Sequence, residues 1–245
     1  MRTANPALNE NTFGRVRGFS DQAMTINGTV NKTALLLVLV LCGAVFTWNQ
    51  VRTDATTVGA WMLGGAIGGF IVALVTCFKK EWAPITAPLY AVLEGLLLGG
   101  LSAYAEINYP GIVFQAVLLT LGTLGALLAA YRFGFIRATE NFKLGIFAAT
   151  GAIALLYLVG FAMSFFGKRI PYIHESGWIG IGFSLFVVVI AALNLVLDFD
   201  FIEKGAEHGA PKFMEWYAAF GLMVTLIWLY IEILRLLSKL ASRRD

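Results

Sequence analysis

"WIGIGFSLFVVVIAALNLVLDFDFIEKG", Trp178 to Gly205, stays almost wholly apolar up to Leu197 and then delivers Asp198, Asp200 and Glu203 in quick succession. The apolar part has the length an α-helix needs to cross the hydrocarbon core of a bilayer, about 20 residues. The acids are harder to place. The last carbonyls of a helix already carry partial negative charge and repel carboxylates, so either something offsets that cost or the cost is useful.

The rest of the chain agrees with the apolar run. Of its 245 residues, 58% are hydrophobic and 13% charged, against about 45–50% and about 25% in an ordinary soluble domain. Such an excess cannot be hidden in a water-soluble globule of this size, so the chain reads as one all-α, polytopic membrane domain. Seven spans are expected: Thr33–Trp48, Val58–Phe78, Ile85–Tyr104, Gly111–Tyr131, Leu144–Phe166, Trp178–Leu197 and Tyr217–Leu240. Polar breaks separate them, including Asn49 to Asp54, Lys79-Lys80-Glu81 and Asn108 to Gly111. Period-two alternation in stretches of roughly ten residues, the mark of a membrane barrel, is absent. Residues 1–32 read as a polar amino-terminal tail, 33–240 as the seven-helix domain and 241–245 as a short basic tail.

Orientation follows from the basic residues. With the amino terminus in the cytoplasm, 11 of the 18 lysines and arginines fall on inner segments and 3 on outer loops; Arg235, Lys239, Arg243 and Arg244 face outward at the carboxyl end. The first thirty or so residues lack the short apolar region and cleavage site of a secretory signal, so insertion through the chain's own spans is expected.

Cys42 and Cys77 sit in apolar runs without metal-ligand spacing and read as small packing residues. His174 and His208 occupy different loops, which argues against a multi-histidine metal site. No basic block alternates with aromatics, so nucleic acid is not an expected partner. Gly64/Gly68, Gly65/Gly69 and Gly95/Gly99 are small-xxx-small pairs that bring helices close, either within the chain or as a dimer seam.

Ionisable groups inside a bilayer are costly, about 2.5–3.5 kcal/mol on insertion scales, and face a bundle interior or a water path. Glu94 lies in the middle of the third span. It is either a protonated carboxyl hydrogen-bonded to a neighbouring helix or a proton or cation station. Asp198 follows Asn194 by one helical step, on a stripe that includes Ser184. Burial, the nearby Asp200 and the helix end all make a charge there costly, so the proton is exchanged readily when a cation approaches. Alternatively, Asp198, Asp200 and Glu203 mark the water interface with Lys204 and Lys212 as counter-charges, the reading favoured for Asp200 and Glu203. Thr225, Trp228, Glu232, Arg235 and Lys239 share one face of the last span, at spacings of three and four. Glu232 and Arg235 are one turn apart and suit a structural ion pair; a central or gate-lining last helix is the sharper reading.

An enzyme is not expected. Neither GxSxG nor HExxH occurs, and both histidines lie outside the apolar cores.

Three stretches, "PLYAVLEGLLLGGLS" (88–102), "AALNLVLDFDFIEKG" (191–205) and "GLMVTLIWLYIEILRLL" (221–237), make the chain resemble the Bax inhibitor-1 family, also called transmembrane Bax inhibitor motif proteins. "NPALNENTF" (5–13) and "TVNKTALLL" (29–37) look like its bacterial branch. The resemblance implies a bundle with the seventh helix central, in a bacterial inner membrane, and a pH-sensitive passive calcium leak. It also implies a proton shared between an aspartate ending the sixth helix and one early in the seventh. Asp198 matches the first; the second falls at Thr225, which cannot ionise, leaving Asp198 to titrate alone or Asp200, Glu215 or Glu232 to supply the partner. The family's arginine in the second helix has no counterpart before Lys79. No cofactor is implied, and calcium is the permeant ion, held transiently at Asp198. Calcium takes about 6–8 oxygen ligands, so the few acids suit a leak better than a tight store. The sensing set is then Asp198, Glu94, Asp200 and Glu232, with Asn194 and Thr225 lining a gate. The alternative is an interaction protein that uses its tail to modulate other membrane proteins, such as a membrane-bound protease.

Overall fold

The computed structural model describes residues 23–53, 55–167 and 177–243. Most of the expected amino-terminal tail, with Asp54, His174, Arg244 and the rest of the basic tail past Arg243, lies outside the described residues.

The described residues form seven long helices, α1 (Ile26–Thr53), α2 (Ala55–Phe78), α3 (Ala83–Asn108), α4 (Ile112–Arg132), α5 (Glu140–Phe165), α6 (Trp178–Glu207) and α7 (Met214–Ala241), with one 3-10 turn, Lys80–Trp82. All seven are long and apolar enough to cross a membrane. Among the described residues there is no strand, only an isolated bridge between Ala23 and Pro211. The 3-10 turn joins α2 to α3, and a turn of three residues joins α3 to α4.

The helices outrun the apolar spans because local chemistry supports extra turns at the water interface. Thr25 caps α1, its hydroxyl accepting from Gly28 N at 3.0 Å, as N-cap residues do. The helix therefore begins seven residues inside the segment expected to be tail, and it continues through Asn49 to Thr53, where a break was expected. Glu106 closes the α3–α4 turn by accepting from Gly111 N at 2.6 Å and Val113 N at 3.1 Å, and Gly111 takes φ 85° to permit it. Thr139 caps α5 by accepting from Phe142 N at 3.3 Å.

α7 is the central helix. It packs against α6, α1, α4 and α3, and 56% of its most apolar window is buried, against 11% for the peripheral α5. One layer of the core joins α1, α3 and α7 through Leu36, Ala87, Tyr90, Phe220 and Met223. The other joins α4, α6 and α7 through Ala116, Leu195, Leu226 and Leu229. Ser102 and Tyr230 tie α3 to α7 with hydroxyl oxygens 2.6 Å apart.

Small residues let α1, α2 and α3 meet backbone to backbone. A Cβ on Gly95 would come within 2.4 Å of Val40 O, and one on Gly65 within 2.5 Å of Leu93 O. Gly64 faces open space. The glycine seams thus serve packing within the chain, as small-residue faces do in lipid. Cys42 and Cys77 are exposed on the outer surface rather than packed inside; a small apolar thiol is compatible with lipid contact.

Candidate functional site

α6 does not end at the acids. It runs nine residues beyond Asp198 to Glu207, so Asp198 lies inside the helix and the expected clash with terminal carbonyls does not arise. The extension is supported electrostatically: Asp200 Oδ2 receives Lys143 Nζ of α5 and Lys204 Nζ one turn on, each at 2.9 Å. Such i,i+4 pairing stabilises a helix, and Lys143 adds a tie between helices.

From that end a line of polar groups runs along the interface of α5, α6 and α7. Lys143, Thr150 and Tyr157 recur every two turns on one face of α5. Next to Asp200 comes Asp198, whose carboxyl lies against the Thr225 side chain of α7. Its Oδ2 is buried and has no hydrogen-bond partner among the described residues. One turn back, Asn194 Nδ2 donates to Thr150 Oγ1 and to Ile190 O, both at 2.8 Å. Farther along, Glu232, 1% exposed, accepts from Arg235 Nη1 at 2.8 and 3.0 Å and from the Tyr157 hydroxyl at 3.0 Å. The far end is closed by Lys239 Nζ, which donates to Ser184 Oγ at 2.9 Å and Gly180 O at 3.1 Å.

Among the described residues, Asp198 Oδ2 is the one buried side-chain nitrogen or oxygen without a hydrogen-bond partner. A buried polar atom without a partner costs about 1–3 kcal/mol, more when charged, so Asp198 is where a proton, a water or a cation brings the most relief. The expected stand-ins for a second carboxylate do not reach it. Asp200 is held by two lysines, and Glu232 by Arg235 and Tyr157. Glu215, 0% exposed, accepts from Lys32, from Lys212 at 2.9 Å, and from Thr25 N and Oγ1 at 2.9 and 2.8 Å. No second carboxylate therefore pairs with Asp198, and the Thr225 hydroxyl beside it donates to Gly221 O at 3.3 Å.

Other expectations need correction. Lys204 does serve as a counter-charge to Asp200, but Lys212 serves Glu215, and Glu203 accepts from the Tyr131 hydroxyl. Glu94 is half-buried between α3 and α2, where a Cβ on Gly69 would come within 2.8 Å of its Oε1. No hydrogen bond or ion pair reaches it among the described residues. Nor do Glu94 and Asp198 meet, because α3 and α6 share no packed face. Among the described residues no three His, Cys, Asp or Glu side chains converge as a metal cage. Calcium at Asp198 would find carboxylate and hydroxyl oxygens and otherwise water.

Two functional contributors were missed in the sequence. The α5 face was visible as a seven-residue spacing of Lys143, Thr150 and Tyr157. Of the Glu215 cluster only Lys212, three residues earlier, is local, since Lys32 lies 183 residues away.

These features define an integral, multi-pass membrane protein: a seven-helix bundle with its last helix central and a buried polar line crossing it. The chain belongs to the Bax inhibitor 1 like family, whose model matches residues 5–242. No curated relative and no solved structure matched the chain.

Proposed function

We propose that the protein is a passive, proton-modulated leak for calcium or similar cations along the interface of α5, α6 and α7, not an enzyme, with its amino terminus on the cytoplasmic side of a bacterial inner membrane. The observation that carries this reading is the unpartnered Oδ2 of Asp198, set between α6 and α7 on a polar line that extends toward both ends of the bundle. A proton and a cation compete for the same carboxylate oxygens, which couples flux to pH. Thr225 offers a neutral hydroxyl, so a single carboxylate does the sensing. Arg235 and Lys239 at the far end oppose cation entry through like charge. That suits slow leakage better than fast conduction, since a conduction site must bind weakly enough to release.

Calcium flux into liposomes holding the purified full chain, at about pH 6 and about pH 8, tests the reading. Flux above empty liposomes, larger at the higher pH, is expected, because fewer protons then compete for Asp198. Asp198→Asn should make the residual flux insensitive to pH. Glu94→Gln, on another helix pair, should leave the pH response in place. Absence of flux at both pH values would remove the leak and favour the interaction reading, whose tail lies outside the described residues.

A further inference from the structure

α1 and α4 both pack against α6 and α7 but share no packed face with each other. The gap between them is a groove of about 780 Å³ at the end of the bundle where α1 begins. Its volume falls in the range of small-molecule sites, about 300–1,000 Å³. The walls are apolar: Val30 and Leu37 from α1, Leu124 and Leu128 from α4, with Phe199 of α6 and Leu222 of α7 behind. Thr29 and Thr33 also line it, but their hydroxyls donate to Thr25 O and Thr29 O at 3.0 Å. The interior therefore asks for no polar ligand group.

The rim differs. Arg132 and Arg137 line it, both exposed, and neither makes an ion pair among the described residues. Of the acids at the rim, Asp200 is held by Lys143 and Lys204, and Glu203 accepts from the Tyr131 hydroxyl. The two guanidinium groups thus share the rim with two carboxylates, of which Asp200 is already neutralised by its lysines. Between the arginines, Phe133 and Phe135 are 75% and 83% exposed, as interfacial aromatics are at headgroup level.

We propose that this groove holds an anionic phospholipid from the surrounding leaflet, its phosphate on Arg132 and Arg137 and an acyl chain along Val30, Leu124 and Leu128. The groove is apolar where the hydrocarbon of the bilayer lies and cationic where headgroups lie. Basic pockets between transmembrane helices select anionic headgroups in this way, and guanidinium pairs bidentately with phosphate.

Native mass spectrometry of the detergent-released full chain, with added phosphatidylglycerol or phosphatidylcholine, tests the site. Phosphatidylglycerol should be retained about thirtyfold better, the preference that two basic groups near an anionic headgroup supply. R132Q/R137Q should retain the two lipids equally. Val30→Trp and Leu128→Trp fill the groove from exposed positions and should each lose phosphatidylglycerol while the thermal midpoint stays native. Equal retention of both lipids by the native chain, or retention undiminished in the tryptophan variants, would overturn the proposal. So would an equally strong adduct with glycerol phosphate alone, which would make the rim a free-phosphate site.

Discussion

Glu215→Ala is expected to lower stability by about 2–4 kcal/mol, because breaking a buried ion pair strands the groups that remain. The carboxylate is fully buried at the start of α7 and gathers four donors from two other segments: Thr25 N and Oγ1 and Lys32 at the start of α1, and Lys212 in the α6–α7 turn. Gly28 leaves the space, since a Cβ there would fall 2.1 Å from Oε1. Alanine would leave Thr25 N without its acceptor and both lysines uncompensated. The partial exposure of Lys32 and Lys212 keeps the loss below that of a fully buried pair. Glu215→Gln retains an acceptor for Thr25 and should lose less. Unfolding in mixed micelles with increasing dodecyl sulfate, followed by far-ultraviolet circular dichroism, measures the order. Alanine and glutamine variants both within about 0.5 kcal/mol of the native chain would place them with neutral surface changes and refute the assignment.

Gly99→Leu should be damaging on a similar scale, for a steric reason. A Cβ at Gly99 would lie 2.2 Å from Ala44 O and 2.7 Å from Ala44 Cα, so backbone must move and α1 must part from α3. Overpacking a tight contact costs about 1–3 kcal/mol, occasionally more. Lipid supplies no hydrophobic drive to close the seam again, because association there rests on close packing. Gly64→Leu is the matched control. With nothing within 4 Å of its Cβ position, it should be neutral in the same assay. A change of oligomeric state in Gly64→Leu would instead reveal a dimer seam on that face.

The number and order of helices were legible because each span is a long apolar run, and lipid leaves a chain little choice but helix. The stripe from Thr225 to Lys239 was legible because it is periodic, and Glu232–Arg235 because it is local. The end of α6 was misread for a complementary reason. Asp198 and Asp200 look like a terminus when only their own helix is considered, and the group that lets the helix continue, Lys143, sits 57 positions earlier, on α5. The Glu215 cluster and the gap between α1 and α4 are likewise products of tertiary contact. Glu94 could be placed at mid-span, but which helices flank it could not, and that decides its separation from Asp198.

The proposed leak requires the Asp198 carboxyl to exchange a proton for a cation. Infrared difference spectroscopy of the protonated-carboxyl carbonyl band tests it most directly, on the full chain in membranes at fixed pH, with the Asp198 band identified by its absence in Asp198→Asn. Calcium should diminish that band in the native protein and change nothing at that position in the variant. A band that calcium leaves untouched, or one that persists unchanged in Asp198→Asn, would contradict the account.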